Sequence, residues 1–246
     1  MNEAVNKVAI VTGGSRGIGA AVAQRLGADG FGVAVNYAGN AQAAGDIVAA
    51  IEKAGGRAIA VQGDVSDAAA MRRLFDETEK AFGGVDVLVN CAGILELATI
   101  ADASDAAFDR IVAINLKGTF NGLREAAKRL RDGGRIVNFS TSVVGTKIES
   151  YGLYTATKAA VEALTGILAK ELRGRNIAVN AVAPGPVATE MFLDGKTPQM
   201  IEFFAKMPPL ERLGTPDDIA GVVSFLAGPD GGWVDGQVLR ANGGLV

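Results

Sequence analysis

The sequence predicts an α/β fold, a doubly wound parallel sheet of about seven strands with helices on both faces. Three observations predict it. Short β-branched runs alternate with Ala- and Leu-rich stretches of helical period along the 246 residues. Hydrophobic residues make up 49% of the chain and aromatic residues only 6%, which suits Val- and Ala-rich strands buried between helices. No Pro/Ser-rich linker or charge run divides the chain, so one domain over 1–246 is expected.

The first element is the run KVAIVT at 7–12, a β-branched strand that ends in glycines. Residues 19–28 then place Ala20, Ala23, Leu26 and Gly27 at helical spacing. The alternation continues with strand 32–36, helix 42–54, strand 58–62, helix 68–82 and strand 85–89. A long helical pattern over 104–130 precedes strand 135–139, and helix 151–173 precedes strand 177–183. Strand–helix alternation of this kind gives parallel strands joined by right-handed crossovers. Ligands then belong at the carboxyl ends of the strands. Residues 185–213 break the rhythm with Pro186, Pro198, Pro208 and Pro209 beside Met191, Phe192, Phe203 and Phe204. So long a segment near the strand ends reads as a substrate lid. Helix 216–226 and strand 237–240 close the domain.

Composition also removes function classes. The net charge of −3 offers no basic field for nucleic acid or an anionic membrane. No apolar run is long enough for a membrane span, and the polar start does not read as a signal peptide. A single cysteine, Cys91, cannot pair internally, which fits a cytoplasmic protein. The chain has no histidine, so it has neither a Ser-His-Asp triad nor a His-ligated metal, and no metal site is expected.

Between the first strand and helix lies Thr12-Gly13-Gly14-Ser15-Arg16-Gly17-Ile18-Gly19. Glycines there allow a tight turn and let backbone N–H groups approach a pyrophosphate at the helix N-terminus. Asp64, beside Val65 at the end of the third strand, is placed to accept a hydrogen bond from an adenine amino group. Asn90-Cys91-Ala92-Gly93 ends the fourth strand with small residues that admit a cofactor to the backbone. All three motifs share the carboxyl edge of the sheet.

Tyr154 and Lys158 lie four residues apart on one helix face. A cation roughly 4 Å from a phenol, at an effective dielectric near 20, is worth about three pKa units. That shift brings the phenol near neutrality, where it can exchange a proton. Ser140-Thr141-Ser142 ends the fifth strand, where a hydroxyl can polarise a carbonyl. Asn115 is an amide inside a helix that is otherwise apolar on that side.

Taken in order, the TGxxxGxG-type loop, NxAG, the helix Asn, Ser-x-x-Gly and Tyr-x-x-x-Lys resemble the short-chain dehydrogenase/reductase family. Pro184-Gly185, Arg212-Leu213-Gly214 and Ala241-Asn242-Gly243-Gly244 extend the likeness over essentially the whole chain. It is nearest to 3-oxoacyl-carrier-protein reductases and related NADPH-dependent aldehyde/ketone reductases. The resemblance implies a Rossmann-type fold with Tyr154 as general acid and Lys158 lowering its pKa and binding the nicotinamide ribose. It implies Ser142 on the carbonyl and Asn115 holding a water that links Lys158 to solvent. It also implies Asn90, Ala92 and Gly93 along the nicotinamide ribose, with Pro184, Gly185, Val187 and Thr189 near the carboxamide. Two departures are Cys91, where a second Asn is usual, and a separation from Ser142 to Tyr154 about one residue short. Thr141 and Ser140 stay as rivals, and the Ser-Val-Val-Gly turn favours Ser142.

The expected activity is NADPH-dependent carbonyl reduction, with an alcohol or polyol dehydrogenase as the alternative. A nucleotide-binding regulator and a methyltransferase are the competing classes, and neither has a use for the Ser/Tyr/Lys/Asn set. NADP(H) is expected over NAD(H) because the second strand, ending Val35-Asn36-Tyr37, brings no carboxylate before Asp46. Arg16 supplies a guanidinium for a 2′-phosphate, and Asn36 and Tyr37 supply hydrogen bonds. A carrier-protein partner would dock on Arg124, Lys128, Arg129, Arg131 and Arg173. Long apolar helices at 104–130 and 151–173, together with the resemblance, imply a homotetramer.

Overall fold

The strands are β1 (Lys7–Thr12), β2 (Phe31–Tyr37), β3 (Arg57–Gln62), β4 (Val85–Asn90), β5 (Leu130–Phe139), β6 (Ala178–Pro184) and β7 (Val238–Ala241). They form one sheet in the order β3-β2-β1-β4-β5-β6-β7, and every neighbouring pair is parallel. This is a computed structural model that describes residues 7–246; the part of the expected domain at 1–6 lies outside the described residues.

The helices follow in chain order as α1 (Gly17–Ala28), α2 (Ala41–Lys53), α3 (Ala68–Phe82), α4 (Asp105–Ile111) and α5 (Thr119–Arg129). After β5 come α6 (Val143–Thr146), α7 (Gly152–Glu171), α8 (Glu190–Leu193), α9 (Pro198–Lys206) and α10 (Pro216–Ala227). Strand side chains alternate between two cores. Ala9 and Val11 of β1 join Val22 and Leu26 of α1, Ile51 of α2 and Val223 of α10 on one face. Ile10, between them, faces Leu74 and Phe75 of α3, Leu123 of α5 and Leu168 of α7 on the other. Burial on both faces explains why the strands read as near-continuous apolar runs.

Two expectations change. The helical pattern over 104–130 is not one helix: α4 and α5 are joined by a π-helical turn, Val112–Gly118. Close packing accounts for where it falls. A Cβ on Gly118 would stand 2.5 Å from Val65 Cγ2, so the chain approaches the end of β3 more closely than any other residue type allows. The wider turn also carries Asn115, which periodicity alone treats as one more helical position. Strand β5 starts at Leu130, five residues before the expected 135, and the lid region contains α8 and α9. They are held together by Phe192 of α8 packed edge-on against Phe204 of α9, at 5.4 Å between ring centres. Among the described residues no helix is long and apolar enough to cross a membrane.

Candidate active site

The strand order reverses between β1 and β4, and the crevice outside their carboxyl ends is where such sheets bind ligands. The loops after the two strands meet there. Thr12 joins them: its hydroxyl accepts from the Cys91 and Ala92 N–H groups, both at 3.1 Å. Gly13 has φ +62°, and a Cβ on it would stand 2.9 Å from Ala92 Cα. The turn thus needs glycine for both its backbone angle and its packing. Helix α1 starts behind this loop with Arg16 as its N-cap residue, extended and exposed, and no side chain caps the helix. By contrast α2, α3 and α10 are capped by Asn40, Asp67 and Thr215. The α1 amides, with Gly17, Ile18 and Gly19 in the first turn and Ser15 half-buried before it, are left to an anion. These residues fit the pyrophosphate of a dinucleotide.

Other predicted cofactor residues are placed less directly. The Asn36 side chain is buried and donates to the Val61 and Gly63 carbonyls at 3.3 and 3.0 Å. Its oxygen accepts weakly from the Gly13 N–H at 3.4 Å. Asn36 therefore braces the glycine loop from below, and its side chain is not free for a 2′-phosphate as expected. Tyr37 packs against the core at the end of β2. Asp64 is exposed and accepts from the Ser66 N–H at 2.8 Å. Val65 packs on Gly118, and its carbonyl accepts from Asn121 at 2.9 Å. The Asn90 side chain points into the sheet and donates to Asn138 at 2.9 Å, which in turn donates to Thr165 at 2.9 Å. Only its backbone faces the crevice loop. Pro184 ends β6, Gly185 and the buried Val187 follow it, and Thr189 lies against Gly17.

The catalytic candidates converge at the same edge. Lys158 is buried in α7, and its ammonium donates to the Phe139 carbonyl at 2.8 Å, with the Tyr154 ring centre 5.7 Å away. Gly93 lies beside it, 3.6 Å from Lys158 Nζ measured from the position of an added Cβ. Asn115 grips the same strand end from the π turn: its oxygen accepts from the Ile94 N–H at 2.8 Å and its amide donates to the Ile94 carbonyl at 2.9 Å. Asn115, Tyr154, Lys158 and the Gly93 segment thus form one cluster.

The expected pKa of Tyr154 reverses. Burial pushes the phenol up to about 12, and the neighbouring Thr141 offsets only part of that rise. Burial also lowers Lys158 to about 8. The sequence reading used the Coulomb attraction of an exposed pair and left out the desolvation that both groups share. At neutral pH the phenol is a proton donor. Burial likewise pushes the Cys91 thiol up to about 12, which keeps it protonated.

The hydroxyl cluster departs from expectation as well. Ser142 Oγ is buried, donates to the Ala183 carbonyl at 3.1 Å and accepts from Asn242 at 2.9 Å, so its hydrogen bonds are made within the chain. Sequence reasoning missed the hydrogen bonds of the buried strand amides Asn138 and Asn180, to Thr165 and Val234, and that of Asn242 to Ser142. The available signal was an Asn inside an apolar strand run. The basic residues named for a carrier partner are largely engaged within the chain. Arg129 pairs with Asp76 and Glu79, Arg131 with Asp86, and Arg124 with Asn121.

The family described as enoyl-(acyl carrier protein) reductase matches residues 13–246. A short-chain type dehydrogenase/reductase of Picea abies is 47% identical over 98% of this chain and 92% of its own length. NADPH-dependent aldehyde reductase 2 of Arabidopsis thaliana, a chloroplastic protein, is 47% identical over 98% and 94%. A crystal structure of a short-chain dehydrogenase from Burkholderia cenocepacia, in complex with NADP, superposes with a TM-score of 0.92. It is 39% identical and is covered, like this chain, over 99%.

Proposed function

The chain belongs to the short-chain dehydrogenase/reductase family, and on that premise we propose that it reduces aldehyde or ketone carbonyls with NADPH. One observation carries the reading. Tyr154, Lys158 and Asn115 meet beside the uncapped start of α1, and the phenol there holds its proton at neutral pH.

The dinucleotide, when bound, supplies the hydride to the carbonyl carbon. The protein supplies the rest. Tyr154 gives its proton to the carbonyl oxygen as negative charge develops there. Lys158, tethered to Phe139, stabilises the phenolate this leaves, and solvent returns the proton. Asn115 fixes the Gly93–Ile94 segment against which the reacting groups align. Arg16 is exposed at the glycine loop, and no carboxylate stands at the end of β2, so a 2′-phosphate meets a guanidinium without a repelling charge. Support for this cofactor comes also from the NADP-bound Burkholderia relative and the NADPH-dependent Arabidopsis one.

The substrate in this reading is a free carbonyl compound. Segment 94–100 and the lid bring Leu97, Ile100, Met191, Leu193 and Phe203 exposed to the carboxyl edge, which favours an apolar one. The internal ion pairs of Arg129 and Arg131 count against a carrier-linked substrate. An oligomer also belongs to the proposal. Val112, Leu116 and Phe120 line an exposed groove with Ala163, Leu164 and Ile167 of α7, and with Lys117 as its single charged residue this largely apolar face suits a second copy.

Steady-state kinetics test the reading. NADPH should be oxidised with small apolar aldehydes and ketones, faster than with a carrier-linked 3-oxoacyl substrate. Arg16→Ala should reduce kcat/KM for NADPH by about ten- to a hundredfold, the size of one lost charge-assisted contact, and barely change that for NADH. Preference for NADH, or no turnover with any carbonyl, would overturn it.

A further inference from the structure

A second phenol stands beside Tyr154, and the chemistry above leaves it without a task. Tyr151 is buried at the start of α7, and its ring lies edge-on to that of Tyr154 with the ring centres 6.4 Å apart. Its hydroxyl makes no hydrogen bond among the described residues, although a buried phenol ordinarily finds a partner. The polar side-chain atoms that are both sealed and unpartnered there are Arg135 Nε and Thr146 Oγ1, so the Tyr151 oxygen keeps an opening to solvent. Burial raises its pKa, which leaves it a proton donor at neutral pH.

The chain holds Tyr151 in place at some cost. In the connection from α6 to α7, Lys147 and Ser150 take left-handed φ of +53° and +67°, angles that L side chains rarely adopt. Ties on both sides keep them there. The Ser150 carbonyl accepts from the Ala98 N–H at 3.0 Å, within a parallel bridge between Ala98 and Tyr151. The Tyr151 N–H donates to the Ile148 carbonyl at 3.3 Å, and its carbonyl accepts from the Thr155 N–H at 2.8 Å. Gly152 then lets Ile100 close over the helix start, since a Cβ there would stand 3.1 Å from Ile100 Cγ1. Tyr151 is thus pinned between segment 94–100 and Tyr154.

We propose that Tyr151 binds substrate, its phenol donating to a second oxygen on the carbon next to the carbonyl that Tyr154 protonates, so that vicinal diones and α-hydroxy ketones are the preferred substrates. The proposal rests on the reductase reading above and names a substrate class for it. Two phenols side by side, both protonated and neither tied to an acceptor at a printed distance within the chain, match two acceptor oxygens on neighbouring carbons. The exposed Leu97 and Ile100 of the same segment supply apolar surface for the rest of the molecule. A plain ketone uses only Tyr154 and leaves the second phenol to water. Tyr151 keeps its own proton throughout. The hydride still comes from NADPH, which becomes NADP⁺, and the proton from Tyr154, so that the C=O becomes CH–OH.

The test compares wild type with Tyr151→Phe, using diacetyl, acetoin and butanone as carbonyl substrates. Melting temperature and NADPH binding by fluorescence titration are measured for both proteins. Because the hydroxyl bonds nothing in the chain, Tyr151→Phe should melt and bind NADPH as the wild type does. A clearly lower melting temperature would show the hydroxyl committed within the chain and would overturn the proposal. For diacetyl and acetoin, kcat/KM should fall about three- to tenfold, the worth of one hydrogen bond between neutral groups, and mostly through KM. For butanone, which offers that bond no acceptor, it should change by about twofold or less. Comparing each substrate with itself across the two proteins cancels the greater intrinsic reactivity of the dione. Equal changes for all three substrates, or none, overturn the assignment, since a merely structural tyrosine would not separate them. A wild-type protein that reduces no carbonyl with either nucleotide refutes the reductase reading instead, so the two failures are distinguishable.

Discussion

Replacing Gly13 by alanine puts the meeting of the β1 and β4 loops to the sharpest test. Gly13 sits at φ +62°, and the left-handed region costs an L residue about 1–2 kcal/mol. The new Cβ would also stand 2.9 Å from Ala92 Cα and 3.1 Å from Ala92 N, both backbone atoms that no rotamer change can move. Overpacking against fixed atoms adds about 1–3 kcal/mol. A loss of roughly 2–5 kcal/mol follows, and in a chain of this size that lowers the melting temperature by about 5–15 °C. Relief by widening the loop spreads the crevice, so NADPH binding should weaken in the same variant. Gly45 is the control. It lies within α2 with nothing within 4 Å of an added Cβ, so Gly45→Ala should stabilise by about 0.5–1 kcal/mol. Thermal melts and a fluorescence titration with NADPH read both effects. A Gly13→Ala protein with wild-type melting and affinity would refute the reasoning, because it would show that the two loops do not touch as described.

The remaining predictions concern chemistry and assembly. Tyr154→Phe should lower kcat by about 10²–10⁴-fold while leaving NADPH affinity nearly intact, and near-normal turnover in the folded variant would end the general-acid assignment. Carbonyl reduction should fall as pH rises through about 8, where Lys158 loses its proton, with no separate alkaline limb from Tyr154 short of about 12, where burial holds its phenol. A rate that stays flat to pH 10 would show that the ammonium is not needed. Phe120→Asp or Ile167→Asp, on the exposed apolar groove, should dissociate an oligomer seen by light scattering. A wild-type monomer at micromolar concentration would remove that part of the proposal.

Much of this protein can be read from its sequence because burial on both sheet faces writes a plain pattern. Helix α3 falls at residues 68–82 as expected, and every strand lies within a few residues of its predicted place except β5. That strand begins at Leu130, five residues early, with an irregular register opposite Val85 and Val87. The Asp132-Gly133-Gly134 stretch resembles a turn in sequence and has no partner in β4; only Leu130, opposite Val85, extends the strand back across it. The π turn at Val112–Gly118 escaped for a related reason: it ends where Gly118 packs on Val65, far away in sequence. The motif residues were legible as a set, yet side-chain direction was not. Ser142 begins the Ser-Val-Val-Gly turn and looked like the anchor. Its hydroxyl is claimed by Asn242, 100 residues later, and no local pattern reveals such a partner. Asn36 and Asn90 were read as cofactor contacts because of where they end their strands, and each turns inward to satisfy buried backbone or amide groups.

The ionisation of the site bears on the direction of the reaction. An alcohol dehydrogenase needs the phenolate, since Tyr154 must accept a proton from the substrate hydroxyl. With the phenol at about 12, five units above neutrality, only on the order of 10⁻⁵ of molecules carry that phenolate at pH 7. A reductase needs the phenol, and essentially every molecule has it. A positive group bound close by would narrow this gap by favouring the charged form, as Lys158 does when protonated. Lys158, held near 8 by burial, still carries its proton at neutral pH, but its ammonium donates to the Phe139 carbonyl and the phenol stands at about 12 beside it. The same burial that raises one group and lowers the other thus stocks the crevice with a donor at neutral pH. That stock of protons is what the proposed carbonyl reduction draws on.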